Sequence, residues 1–361
     1  MNEPTASSSQ LPGSTIAGRN TMDMAAKRHL GGSGVAVSVH GFGGVPLGNL
    51  YRKCSDEDAQ ATLLAAYNAG IRFVDTAPLY GHGMSEHRIG HIMRPLPRDS
   101  WVLSTKIGRV LEAKDPATGI DSGHFVDIHP FQPVFDYTYD GVMRSFEDSL
   151  QRLATHRIDV LLVHDIDIWT HGSEEGRRAK FKELMDSGYK ALRELRDSGT
   201  VKAIGAGVNE VQATLEFMRA GAFDCFLLAG RYTLLEQGAL DELLPLCAER
   251  NVSLIIGGPY NSGILATGAI KGAKYNYVDA PAEIMERVAR IEAVCSRHGV
   301  PLKAAALQFP LGHPQVASII PGARSVTEID QNIDTFTTPI PADLWAELKH
   351  EKLLRDDAPT P

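Results

Sequence analysis

Apolar residues along this chain come in short runs that stop abruptly at polar or ionisable positions. Ile71, Phe73 and Val74 run into Asp75; Trp101, Val102 and Leu103 into Ser104, Thr105 and Lys106; Val160 to Val163 into His164 and Asp165. Runs of this length, bounded by turn residues, predict buried strands. Between them the apolar spacing changes to three and four, as in Leu63, Leu64 and Tyr67 or Val142, Phe146, Leu150 and Leu153, which predicts helices with one buried face. Ser55 followed by Asp58 marks a helix start, and Gly70 its end. VKAIGAG, DCFLLAG, SLIIGG and ASIIPG continue the strands, with helices expected near residues 181–196, 211–220, 238–249, 282–297 and 303–311.

Counting a strand near Val37, the units number eight. Strict alternation of strand and helix implies a parallel sheet, and eight units favour a closed (β/α)8 TIM barrel over an open sheet. KRHLGGSGVAVSV predicts an N-terminal β-hairpin turning at Gly31 to Gly34 and closing the bottom of the barrel. The expected organisation is a mobile tail over residues 1–26, one barrel domain over 27–350 and a C-terminal tail over 351–361. Gly41, Gly43 and Gly44 do not make a dinucleotide loop, because the third glycine is off the required spacing and no helix follows. Two insertions break the rhythm and form long loops at the C-terminal face. Residues 107–140 carry Phe125, His129, Phe131, Phe135 and Tyr137, and residues 166–178 carry Trp169 and His171. A long aromatic loop above the strand ends reads as a substrate wall, with Trp169, Phe135 and His129 as the expected contacts.

All strand ends of a parallel barrel that point one way share one rim, so Asp75, Lys106 and His164 are expected there together, with Tyr80 on the loop just after Asp75. A phenol titrates near 10 and needs a neighbouring cation to exchange protons near neutral pH. Lys106 supplies the cation, Asp75 keeps it charged, and His164 can hydrogen-bond a substrate oxygen beside Tyr80. Taken singly, each residue reads as structure: a salt bridge, a loop anchor, a strand-end histidine. Together they read as a catalytic tetrad. A Schiff base at Lys106 is disfavoured, since a lysine paired with a carboxylate stays protonated. His82, Glu86 and His87 have the residue types of a zinc site but not the helical two-histidine spacing, and no metal is expected.

The net charge of −8 argues against nucleic acid or an anionic membrane as partner, and no stretch approaches the about eighteen apolar residues of a membrane span. MNEPTASSSQLPGST lacks a basic segment followed by an apolar core, and the four cysteines show no CxxC spacing, so a cytoplasmic protein with free thiols is expected. Either a monomer or a homo-oligomer fits these observations.

The motifs FVDTAPLYG-x-G, LSTK and DVLLVHD, in this order, resemble those of the aldo-keto reductases. The resemblance implies the same four roles for Tyr80, Asp75, Lys106 and His164, and a nicotinamide cofactor laid across the barrel mouth without a Rossmann fingerprint. It implies that Asn209 holds the carboxamide, whereas Ala229 and Gly257 depart from the usual glutamine and stacking aromatic. Further cofactor contacts are implied at Gly257, Pro259 and Gly263, and in IIPGARSVTEIDQN at Gly322, Arg324, Glu328 and Asn332. Gly322 and Glu328 stand where NADP-preferring members carry Lys and Arg, so NAD is the expected cofactor, with NADP possible through Arg324. FDYTYDGVMRSFEDSLQRLATHRIDVLLVHDID and GAGVNE look most like the aldose 1-dehydrogenases and pyridoxal 4-dehydrogenases. The expected reaction is oxidation of the hemiacetal carbon of L-fucose, L-galactose or D-arabinose to a lactone, or of pyridoxal to 4-pyridoxolactone. A non-catalytic regulatory barrel subunit is the rival of another class.

Overall fold

The computed structural model describes residues 19–361. Residues 1–18 of the expected tail lie outside them, but Arg19–Asn20 (β1) pairs with Ile340–Pro341 (β16), and Met22 and Met24 pack against the core. The hairpin follows as β2 (Lys27–His29) and β3 (Ala36–Ser38). Val37 therefore belongs to the hairpin, and the first barrel strand is β4 (Phe42–Gly43). The other barrel strands are β5 (Phe73–Asp75), β6 (Val102–Ile107), β9 (Val160–His164), β10 (Ala203–Val208), β11 (Cys225–Ala229), β12 (Ser253–Gly257) and β15 (Val316–Ile319). These eight are parallel and run β15-β12-β11-β10-β9-β6-β5-β4. Bridges His40–Ile319 and Gly43–Gly322 join the two edges and close the barrel.

The register explains how residues far apart in sequence reach one place. Asp75 stands opposite Ser104, Lys106 opposite Leu162, and His164 opposite Gly207. Opposed residues face the same side, as do residues two apart on a strand. Asp75, Ser104, Lys106, Leu162, His164 and Gly207 thus all face the barrel interior, climbing two residues per strand. Below them the same faces carry Phe73, Val160, Ala203, Cys225, Leu227 and Ile255, and hairpin residues Leu30, Val35 and Val37 plug the bottom. A second core lies between the strands' outer faces and the helices.

The helices that bear on the site are α1 (Asp56–Asn68), α2 (Met84–Met93), α3 (Tyr139–Arg152), α4 (Ile168–His171) and, later in the chain, the helix Val326–Thr337. Ser55, Thr138 and Ser325 cap their helices through side-chain oxygens. The single helix expected over 181–196 is two, Glu174–Glu183 and Tyr189–Asp197, joined through a π turn at Leu184–Gly188. The first insertion is not all loop, because β7 (Arg109–Ala113) and β8 (Phe131–Phe135) form an antiparallel hairpin rising from the rim. The expected C-terminal tail is docked: Leu353, Leu354 and Ala358 are buried, and the Arg355 N–H donates to Gln237 Oε1 at 3.0 Å. Those apolar side chains in LLRDDA gain more from burial than the short segment loses in freedom.

Candidate active site

Lys106 lies across the barrel mouth. Its Nζ donates to Asp75 Oδ2 and to the Thr76 carbonyl, both at 2.7 Å, and Ser104 Oγ donates to Asp75 Oδ1 at 2.9 Å. Asp75 and Lys106 are 2% and 1% exposed. Room for the lysine comes from Gly207, where a Cβ would stand 3.4 Å from Lys106 Cε. Burial works against the ammonium, but Asp75 and Tyr80 more than offset it and hold Lys106 up at about 12. Burial raises Asp75 as well, opposed by the Lys106 ammonium and the Ser104 hydroxyl, and the 2.7 Å contact with both Asp75 oxygens hydrogen-bonded favours the charged pair.

Tyr80 follows on a turn that is locked by close backbone contact. Gly48 packs against it, with the position of a Cβ only 2.5 Å from the Tyr80 carbonyl carbon, and Gly81 adopts φ +64°, where glycine is strain-free. Lys106 Nζ is 4.9 Å from the Tyr80 ring centre, and the His164 ring meets it edge-on at 5.8 Å. Burial pushes the phenol up to about 12, against the downward pull of Lys106. His164 is held well below its ordinary value by burial, then by Arg109 and Lys106, so its imidazole is neutral. The four residues expected at one rim are together in one cluster.

Asp75, Tyr80 and His164 line a cavity of about 460 Å³, with Lys106 buried behind them. Asn209, Gly257 and Gly322 line it, as does Trp169. Pro259, Gly263, Arg324, Glu328 and Asn332 do not line it. Phe135 and His129 also lie elsewhere. The Phe135 ring packs under the Arg109 guanidinium at 4.7 Å and beside His171, and His129 pairs with His87 at 5.3 Å. Their hairpin leans outward, so the loop presents a different part to the cavity. Phe125 bridges to Leu50 and lines the cavity with His124. Tyr277, in the turn between β13 (Lys274–Tyr275) and β14 (Val278–Asp279), stacks on His124 at 6.3 Å and meets Trp169 edge-on at 5.8 Å, closing an aromatic mouth. Asp165, Arg231 and Asn276 are among the polar residues of the lining. Of these residues that sequence reasoning missed, Tyr277 had one signal: two tyrosines in the polar stretch GAKYNYVD.

A flat amide-bearing ring suits this cavity. Gly43, Gly207, Gly230, Gly257, Gly258 and Gly322 line it without side chains. Asn209 Nδ2 is spent on Asp167 at 2.9 Å and Asp165 at 3.3 Å, which leaves its amide oxygen to accept from a carboxamide. Further out, Ser325 caps the helix Val326–Thr337 and Asn332 reaches the Gly322 carbonyl at 3.4 Å. Glu328 accepts from the Arg324 N–H at 2.9 Å and from Arg52 at 2.9 Å, rather than from the cap's own N–H as a capping box requires. His82 and Glu86 are also committed: His82 Nδ1 meets the Phe131 carbonyl at 2.6 Å, and Glu86 pairs with Arg152 and Thr105.

A closed parallel barrel with a buried ion pair, a phenol and a neutral imidazole at its C-terminal rim is an enzyme architecture. Residues 41–351 match the Aldo/keto reductase family, and the chain belongs to it. Over 338 residues it is 44% identical to pyridoxal 4-dehydrogenase of Microbacterium luteolum, spanning 91% of this chain and 98% of that protein. It is 39% identical to D-threo-aldose 1-dehydrogenase of a Pseudomonas species, spanning 91% and 97%. A solved aldo-keto reductase from Bacillus halodurans, 23% identical, shares the fold with a TM-score of 0.71 over 91% of this chain and 96% of that one. The chain is an NAD(P)-dependent oxidoreductase. Among the described residues no helix is long and apolar enough to cross a membrane.

Proposed function

We propose that this chain oxidises the hemiacetal carbon of a small cyclic substrate to a lactone, with Tyr80, Lys106, Asp75 and His164 as its catalytic residues. The observation that carries the reading is the buried Lys106–Asp75 pair against the Tyr80 ring, with Tyr80 and His164 opening into the 460 Å³ cavity. Asn209 and the glycines lining the cavity would hold a nicotinamide ring, which would supply the hydride acceptor for the hemiacetal carbon. Tyr80, having released its own proton to solvent, takes the hydroxyl proton as phenolate, a form that burial disfavours and the Lys106 ammonium favours. His164, neutral, donates its N–H to the substrate oxygen and holds it beside Tyr80. Asp75 keeps the ammonium in place.

Two substrate classes share this chemistry, an aldose and pyridoxal. The mouth of Phe125, His124, Trp169 and Tyr277 favours pyridoxal, whose flat ring stacks on aromatic faces, and the 44% identical relative carries that activity in its name. The aldose reading is supported by the 39% identical relative. NAD is the preferred cofactor in this reading, because Gly322 offers no cation to a 2′-phosphate and the Glu328 carboxylate occupies the Arg52 guanidinium that could otherwise meet one. We place the protein in the cytoplasm, which its four free cysteines favour. Steady-state NADH and NADPH formation with pyridoxal, L-fucose, L-galactose and D-arabinose tests the whole proposal. Turnover of none of them would overturn the lactone-forming reading.

A further inference from the structure

We propose that Asp165, backed by Arg109, is a positioning residue that selects the tautomer of His164 with the proton on Nε2. The inference rests on the reading of His164 as hydrogen-bond donor to the substrate oxygen. A neutral imidazole has one N–H and two places to put it. His164 Nδ1 is buried without a hydrogen-bond partner, so its surroundings favour neither form. Nε2 lies 3.3 Å from Asp165 Oδ2. No hydrogen bond joins the two, so a proton on Nε2 does not lie along this contact and stays free for the cavity. The adjacent carboxylate favours a proton there over a second lone pair. The carboxylate decides.

Asp165 is next in sequence to His164, and in a continued strand its side chain would point to the opposite face of the barrel. It does not continue the strand. Its φ is +54°, in the left-handed region that aspartate tolerates better than most residues, and this turn brings its carboxylate back beside the imidazole. The backbone is held there by the Asp165 N–H on the Gly207 carbonyl at 2.8 Å, and the Tyr137 hydroxyl donates to the His164 carbonyl at 2.6 Å. Arg109 NH2 donates to the same Oδ2 at 2.9 Å, and Asn209 Nδ2 to Oδ1 at 3.3 Å. The charged and titratable groups facing the pair are Arg109, Lys106, Tyr80, Tyr137, Asp167 and Tyr277. Burial raises Asp165 while Arg109 pulls it back, which is the reason a buried guanidinium stands behind it. When substrate arrives, the Nε2 proton is already the one aimed into the cavity.

The test is 15N–1H correlation of the histidine rings in the full chain, with His164 assigned by its loss in His164→Gln. The wild type is expected to show the Nε2–H form. Asp165→Gly accepts the positive φ and removes the carboxylate. It should lose the preference and lower kcat by about 10- to 1,000-fold, the range a misplaced imidazole proton can cost, with cofactor KM within about threefold. Asp165→Asn retains an oxygen and should keep the Nε2–H form. A wild type with the proton on Nδ1, or an Asp165→Gly variant that keeps it on Nε2, overturns the proposal whatever its activity. If Asp165→Gly does not fold, Asp165→Ala, which also removes the carboxylate, is read by the same two outcomes. A wild type with the Nε2–H form that turns over no hemiacetal overturns the functional reading and supports the tautomer assignment.

Discussion

The barrel buries an ion pair at each end, and the two have nearly the same length. At the top, Lys106 and Asp75 meet at 2.7 Å; at the bottom, Arg98 and Asp159 meet at 2.6 Å. What surrounds them differs. Asp159 Oδ2 also accepts the Leu103 N–H at 2.9 Å, and Arg98 donates to the Trp101 and Arg157 carbonyls at 2.9 and 2.8 Å. These bonds staple the start of β9 to β6 and the turn before it. The upper pair instead has a phenol and an imidazole for neighbours, and a cavity above them. Burial of an ion pair does not itself mark chemistry; a titratable neighbour open to a ligand does.

If this contrast holds, the largest effect comes from the top. Tyr80→Phe should lower kcat by about two to four decades with cofactor affinity and melting temperature little changed. A variant keeping most of its turnover would put the upper pair in the same class as the lower one. Lys106→Met should approach the same loss and also shift the pH profile. The ammonium lowers the Tyr80 pKa, so removing it raises that pKa, and the rise of rate with alkaline pH should move upward. An unmoved profile in an active variant would make Lys106 a structural residue. At the bottom, Asp159→Asn should cost about 3 kcal/mol of stability in urea titration, by leaving Arg98 poorly paired, with kcat within about twofold of wild type. A large loss of kcat without loss of stability would erase the distinction.

The smallest effect is expected at the outer corner, where Arg52 and Arg324 flank Glu328. Arg324→Ala should raise the ratio of kcat/KM for NAD over NADP by about tenfold, since a guanidinium that can pair with a 2′-phosphate is removed. A wild-type preference for NADP that this substitution abolishes would show that Arg324, and not Glu328, governs the choice.

Runs of apolar residues ending in Asp75, Lys106 and His164 made the rim legible in the sequence, because a parallel barrel sends every such end to one face and side chains two apart point the same way. The hairpin turning at Gly31 to Gly34 was legible for the same local reasons. Val37 was assigned to the wrong strand, because the Gly41 to Gly44 turns make both pieces short and only pairing separates them. The direction of an insertion has no local signature either. Phe135 and His129 sit in an aromatic-rich loop, but the pairing of β7 with β8 leans them away and leaves Phe125 and His124 at the cavity.

The sequence by itself determined which residue types are available at the strand ends, since periodicity and burial are properties of neighbouring positions. Only the tertiary structure decided which of them touch. The two-residue climb per strand puts Lys106 under Tyr80, the left-handed backbone at Asp165 returns its carboxylate to His164, and Leu353 and Leu354 bind the C-terminal segment to the barrel. Each depends on register, on a dihedral angle or on a surface made by distant segments, and none of these is a property of adjacent residues.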